Sequence, residues 1–306
     1  MIYTLTLNPS IDYMMNIDKL EINAVNRSQS EYILPGGKGI NVSIVLNNLN
    51  IESCALGFIA GFTGREIENT LQQNKHLKTD FICLDQGMSR INVKIKGQGE
   101  TECNGSGPIV KSSDLDELYK QLNTLHQDDY LIISGSIPQS VRKDIYTEIV
   151  KIISRNNVPF IADTTGHQLL ELLPYHPLLV KPNHHELAEM FHVKLSGVDD
   201  IIYYARKLKD QGAKNVIVSM ASQGAVLVTE KNEAYYANAP KGEVKNSVGA
   251  GDSLVAGFVS QFSQQKTIEH AFQYAIATGS ASAFSYQLAT KEGIELLYKD
   301  IKIEKK

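Results

Sequence analysis

Apolar residues fall along this chain in two alternating rhythms. Short β-rich runs at 2–7, 53–59, 129–134, 158–163, 177–181 and 215–220 predict strands, several of them continuous rather than alternating, as in strands covered on both faces. Between them, apolar positions three and four apart predict helices over 39–49, 64–74, 140–155, 184–191 and 198–211. Strand and helix in turn is the pattern of an α/β fold with a mainly parallel central sheet.

Three segments break that rhythm. Residues 12–18 (DYMMNID), 27–35 and 89–104 are strand-like with no crossover helix between them, and the last reads as a hairpin turning at Gly97 to Gly99. They predict a small separate β-sheet, a lid that is an excursion from one domain spanning 1–306. After Gly251 the pattern is mostly helical, with helices over 251–264 and 267–285. No internal repeat, low-complexity segment or linker interrupts it.

Composition narrows the class. A chain of 306 residues, 42% hydrophobic and 21% charged, can bury a substantial core. A formal charge of -4 leaves no basic excess for a nucleic-acid backbone. Cys54, Cys83 and Cys103 are odd in number and scattered, which predicts reduced core thiols rather than zinc or a redox dithiol. With no positive segment before the first apolar residues and no run of about 18 apolar residues, a cytoplasmic protein without a membrane partner is expected.

The candidate chemistry lies where glycine clusters open helices. In KNSVGAGDSLVAGF (245–258), Leu254, Val255, Phe258 and Val259 recur at helical spacing, so a helix begins at or just before Asp252. Gly249 and Gly251 then sit where backbone N–H groups are unpaired, at the positive end of the helix dipole, where phosphate oxygens bind. Asp252 admits two readings. As a helix cap it contributes about 0.3–1 kcal/mol through the dipole; as a general base for a hydroxyl it contributes about 10²–10⁴ in rate.

The second cluster, LPGGKGINVSIVL (34–46), sets Gly36, Gly37, Lys38 and Gly39 before a helix that carries Asn41. It is not G-x-x-x-x-G-K-[ST], because Tyr32 occupies the first glycine's place and Gly39 follows the lysine, nor is it G-x-G-x-x-G. An amine and an amide beside a flexible turn suit hydroxyls or a phosphate; a tight turn with a solvated lysine is the alternative. In VKPNHHELAEMF (180–191) a strand ends in Lys181 and a helix starts near Asn183, with Glu186 three residues on. Asn183 and Glu186 read either as a capping box or as oxygen donors at the carboxyl end of a strand, suited to Mg²⁺ through water. The adjacent His184 and His185 point in different directions and suggest no zinc site.

Together LPGGKGINVS, KPNHHE and NSVGAGDS, with NPSID near the start, resemble the ribokinase-like (PfkB) carbohydrate kinases in order and spacing, over essentially the whole chain. The resemblance implies a ribokinase-like three-layer α/β/α domain with a small β-sheet lid, working with ATP and Mg²⁺. It implies that Asp252 takes the proton of the acceptor hydroxyl while the Gly249, Ala250 and Gly251 amides form an anion hole for the γ-phosphoryl group. Asn183 and Glu186 would organise Mg²⁺, and Lys181 would contact phosphate. Ser219 and Gly224 match a nucleotide loop in which Ala221, Ser222 and Gln223 depart from the glycine-rich form.

Asp12, Gly37, Lys38 and Asn41 match positions that hold sugar hydroxyls. Arg27 and Arg90 match cations of the phosphosugar branch, since a guanidinium fork suits a phosphate dianion; an exposed loop charge and a lid salt bridge are their alternatives. SRINVKI followed by ETECNGSGP most resembles the branch that phosphorylates C6 of fructose 1-phosphate, with tagatose 6-phosphate as the second acceptor. Ile44 stands where a basic residue is expected after INVS. The family also implies a homodimer joined through the lid strands.

Two other classes compete. A Rossmann dehydrogenase needs G-x-G-x-x-G after its first strand and an acidic residue about 20 positions on, and LTLNPSID supplies neither. A non-catalytic sugar-phosphate sensor could share the fold, yet Gly249, Gly251 and Asp252 are all retained.

Overall fold

The computed structural model describes residues Met1–Lys306. From β1 (Ile2–Thr6) the chain turns at once into β2 (Ser10–Asn16) and β3 (Ser30–Gly36), then α1 (Lys38–Asn48), β4 (Ser53–Ala60), α2 (Gly61–Gln72) and β5 (Leu77–Leu84). A second excursion, β6 (Arg90–Lys96) and β7 (Glu100–Asn104), precedes α3 (Ser112–Asn123), β8 (Tyr130–Ser134), α4 (Ile145–Ser154), β9 (Phe160–Asp163) and α5 (Gly166–Leu172). Next come β10 (Leu179–Val180), α6 (His184–Phe191), α7 (Val198–Asp210), β11 (Asn215–Ser219), β12 (Ala225–Val228) and β13 (Ala234–Ala237). The chain closes with α8 (Ala250–Phe262), α9 (Ile268–Ala283), α10 (Lys291–Tyr298) and β14 (Ile303–Lys305).

Ten strands make one sheet in the order β14-β13-β12-β11-β10-β9-β8-β1-β4-β5. Neighbours from β11 through to β5 are parallel, and β12, β13 and β14 add an antiparallel edge. The strand period of two divides the apolar runs between two cores. Leu131, Ile133, Phe160, Ala162, Val216 and Val218 pack under α3 to α7, while Ile132, Ile161, Leu179 and Ile217 pack under α1, α8, α9 and α10. Burial on both faces is why these strands read as unbroken hydrophobic runs, and it makes the three layers.

The remaining strands form a second sheet in the order β3-β2-β6-β7. It is mixed: β2 runs parallel to β6, while β3 pairs with β2 and β7 with β6 antiparallel. The β6–β7 hairpin closes through a Gly97 N–H to Gly99 O bond of 2.9 Å, at the predicted turn.

Several expectations need correction. The region after Gly251 is mostly helical as expected, but it also holds a short strand that was not predicted, β14, which returns to pair with β13; its three half-exposed or exposed residues carry no hydrophobic signal. The helix expected from 140 starts at Ile145, since 140–144 are turns. Strand β5 at the sheet edge was not predicted, because its exposed side interrupts the apolar run. Of the three thiols only Cys54 is buried; Cys83 and Cys103, on an edge strand and a lid strand, face outward. No helix is long and apolar enough to cross a membrane.

Candidate active site

The carboxyl ends of the parallel strands and the lid above them enclose a cleft of about 1170 Å³. Only three of its thirty lining residues are hydrophobic, so it suits a polar, hydroxylated and charged ligand. Residues ending β1, β9 and β11 (Thr6, Asp163 and Ser219), and Lys181 just after β10, form its floor, the place where open α/β sheets bind ligands.

Asp252 stands in the first turn of α8 and is 6% exposed. It is not the cap of that helix. The N-cap is Gly249, at φ +79°, and no side chain caps the turn. The Asp252 carboxylate points across to α1, where Oδ2 accepts a hydrogen bond of 2.8 Å from Asn41 Nδ2. Burial, and then the negative charge of Asp163, push Asp252 up to about 6, against the pull of Asn41, Lys38 and Lys181. A carboxyl group so placed titrates near the working pH of a general base.

Beside it the start of α8 faces the cleft through Gly249 and Gly251, whereas Ala250 does not line it. The Ala250 N–H already reaches Ser247 O at 3.3 Å. A Cβ on Gly251 would stand 3.1 Å from Lys181 Nζ, so this ammonium lies directly against the helix N-terminus. One positive end is thus built from a helix dipole and a lysine together.

Lys181 belongs to a buried charge cluster centred on Asp163. Asp163 is 4% exposed; its Oδ1 is 3.3 Å from Lys181 Nζ and its Oδ2 3.6 Å from Lys38 Nζ. Burial pushes Asp163 up, but Lys181 and Lys38 outweigh it and hold the group below the ordinary carboxylate range. Burial would lower Lys38, yet Asp163, Asp252 and Glu186 raise it. Two fixed cations therefore stand on the cleft floor. Sequence reasoning missed Asp163, although a carboxylate closing the apolar run FIAD before TTG was a usable signal.

Asn183 and Glu186 satisfy both of their readings. Asn183 Oδ1 accepts from Glu186 N at 2.9 Å and Glu186 Oε2 accepts from Asn183 N at 2.8 Å, a complete capping box. Both residues also line the cleft. The box engages one carboxylate oxygen and leaves Glu186 Oε1 uncommitted.

The lid supplies Asp12 and Arg90, as expected, and two residues that were not singled out, Asn92 and Lys94. Asp12 Oδ1 accepts from Ser10 Oγ (2.7 Å) and Asn92 Nδ2 (2.9 Å), and Oδ2 is 2.8 Å from Lys94 Nζ. Arg90 makes no lid salt bridge; its Nε donates to Asn8 O at 3.0 Å. The strand period puts 90, 92 and 94 on one face, a signal already present in SRINVKI.

Gly37, Lys38 and Asn41 line the cleft together. Two predicted positions are elsewhere. Arg27 lies in the segment between β2 and β3 and does not reach the cleft. Gly224, at φ +87°, turns the chain between β11 and β12, where a Cβ would come 2.0 Å from Ala237 O; it serves backbone packing. Ser219 lines the cleft, while Ala221, Ser222 and Gln223 form a short 3₁₀ turn outside it. Ile44 packs with Ile11, Ile40, Ile67 and Leu71, not on the cleft, so its apolar character leaves the site unchanged.

A family profile described as pfkB family carbohydrate kinase matches residues 5–292. The chain is 44% identical over 304 residues to a 1-phosphofructokinase of Bacillus subtilis (strain 168), covering 99% of each. It is 36% identical over 304 residues to a D-tagatose-1-phosphate kinase of Bacillus licheniformis, again covering 99% of each. Phosphofructokinase-2 from Escherichia coli, in a crystal structure with substrates and products, superposes with a TM-score of 0.91 at 26% identity over 98% of both chains.

Proposed function

The chain belongs to the pfkB family of carbohydrate kinases, and from that premise we propose that it transfers the γ-phosphoryl group of ATP to a ketohexose phosphate, foremost fructose 1-phosphate. The products are then fructose 1,6-bisphosphate and ADP. One observation carries the reading: Asp252, free of any capping duty and raised to about 6, lies beside the N-terminus of α8 and Lys181. Base and anion site are thus adjacent, as transfer to a hydroxyl requires.

In this reading the ionised Asp252 takes the proton of the acceptor's hydroxyl, whose oxygen bonds to the γ-phosphorus as the bond to ADP breaks. Asn41 holds the carboxylate in place through Oδ2. The amides at the start of α8, with Lys181 and Lys38, stabilise negative charge on the phosphoryl oxygens. Asp12 accepts from the sugar hydroxyls, and Arg90 takes the acceptor's own phosphate.

Mg²⁺ fits this donor set as a water-bridged ion. Glu186 Oε1 is uncommitted, Asp163 Oδ2 has no hydrogen-bond partner beyond its 3.6 Å ion pair with Lys38, and no cluster of three or more His, Cys, Asp or Glu forms a cage. Bound there with ATP, the ion would neutralise phosphate charge. A homodimer through the lids completes the proposal. Ser30 to Leu34 of β3 are all exposed, with Ile33 at 54%, and the nearby Ile22 and Val25 are 79% and 83% exposed.

The test is ADP release with ATP and Mg²⁺, comparing fructose 1-phosphate, tagatose 1-phosphate, tagatose 6-phosphate and fructose 6-phosphate. A kcat/KM for fructose 1-phosphate about tenfold above the others, about 1.4 kcal/mol of transition-state discrimination, is the expected result. Preference for another acceptor would reassign the substrate; binding of a sugar phosphate without turnover would make the protein a sensor.

A further inference from the structure

One buried ion pair lies on the lid strands β2 and β6. Lys94 Nζ is 2.8 Å from Asp12 Oδ2, and the two side chains are only 7% and 15% exposed. Removing either member would leave the other as an uncompensated buried ion. The register explains how they meet: β2 and β6 run parallel with Asp12 opposite Asn92, so Asn92 reaches Asp12 directly and Lys94 reaches it diagonally. Asp12 is thus gripped on both oxygens, by Ser10 and Asn92 on Oδ1 and by Lys94 on Oδ2. Asn92 Oδ1, buried in the same group, has no hydrogen-bond partner. All of these residues line the cleft.

Arg90, on the same face of β6, is in a different state. It forms no ion pair, and its one hydrogen bond, from Nε to Asn8 O, leaves the terminal nitrogens of the guanidinium free. The lid residues that line the cleft therefore include two cations of unlike standing, Lys94 neutralised by a carboxylate and Arg90 not.

Resting on the function proposed above, we propose that Lys94 is a positioning residue for acceptor recognition. It locks the Asp12 carboxylate, beside the open Asn92 carbonyl oxygen, into the orientation that reads the acceptor's hydroxyls. Because its charge is engaged by Asp12, it leaves Arg90 as the lid cation for the acceptor's phosphate. An unpaired Lys94 would offer a second phosphate anchor four residues along β6, about 13 Å of strand from Arg90, and the acceptor could then bind in two registers. The ion pair removes that ambiguity, so the lid distinguishes the hydroxylated end of the ligand from its anionic end.

The test is steady-state kinetics of the wild type, Lys94→Met, Lys94→Arg, Asp12→Asn and the double variant Asp12→Asn/Lys94→Met. Each is measured with the ketose phosphate that the wild type uses best, so a preferred sugar other than fructose 1-phosphate corrects the proposed function alone. Lys94→Met is expected to raise the KM for the sugar phosphate about tenfold while the KM for ATP stays within about twofold. Lys94→Arg should recover most of that loss. Since Lys94 acts through Asp12, the double variant should lose no more than Asp12→Asn does. Competitive inhibition by inorganic phosphate should be unchanged in Lys94→Met and weakened about tenfold in Arg90→Gln.

Multiplicative losses in the double variant, or weaker inhibition by phosphate in Lys94→Met, would make Lys94 a direct phosphate ligand and overturn the proposal. So would an equal rise in the KM for ATP, which marks a general structural defect. Should Lys94→Met fail to fold, the double variant, in which no buried charge is left alone, is compared with Asp12→Asn and Lys94→Arg in its place. No turnover of any ketose phosphate by the wild type would overturn the proposed function and this inference with it.

Discussion

Asp252 is held where an ionised carboxylate is costly, and that cost can be measured separately from its chemistry. Its native value of about 6 lies above the ordinary 3.8, so the folded state binds the proton more tightly than the unfolded state does. Stability contributed by the protonated form is present below about 3.8 and is lost as pH rises through about 6. Asp252→Asn removes a penalty on the order of 3 kcal/mol above that pH, so its Tm at pH 7.5 should rise, as followed by circular dichroism. Its kcat should fall by about 10²–10⁴ with nucleotide affinity nearly intact. For the wild type, kcat/KM should climb with pH and level off above about 6, because the base must be ionised. A Tm that falls in Asp252→Asn would show that the carboxylate supports the fold.

Two helix starts carry the charge of the site, and they do so differently. At α8 the N-cap is Gly249 in the left-handed region, where a Cβ would also press within 2.7 Å of Leu288 Cδ2. At α6 the capping box of Asn183 and Glu186 gives order to the same residues that face the cleft. Glu186→Gln keeps an acceptor for the Asn183 N–H but removes the charge. Its thermal stability should stay within about 0.5 kcal/mol of the wild type, while the Mg²⁺ concentration for half-maximal activity rises several-fold. Glu186→Ala loses the cap as well and should cost about 1 kcal/mol. If Glu186→Gln needs no more Mg²⁺ than the wild type, Glu186 is a cap and nothing else.

For the whole molecule, the lid is a second sheet laid over the carboxyl edge of the first, and its edge strand β3 is exposed from Ser30 to Leu34. An apolar edge of this kind invites pairing with another chain. Light scattering should give twice the 33.9 kDa chain mass, and Ile33→Glu should return the protein to a single chain. A single-chain mass for the wild type at working concentration would remove the dimer from the proposal.

Local pattern alone determined much of this protein. Runs such as LIIS and FIAD read as strands covered on both faces, glycine before an apolar pattern marked a turn opening a helix, and the three motifs in series pointed to one family. Sequence could not assign duty to residues with two plausible roles. Whether Asp252 caps its own helix or faces Asn41 depends on a partner 211 residues away. Asp163, Asn92 and Lys94 went unmarked because the carboxylate after FIAD and the one-face spacing in SRINVKI mark polar positions, while the roles of those positions follow only from their neighbours in the fold. Tertiary structure decided these cases because local propensity sums over a few neighbouring residues, whereas charge, burial and hydrogen-bond direction arise between strands and helices brought together only by folding.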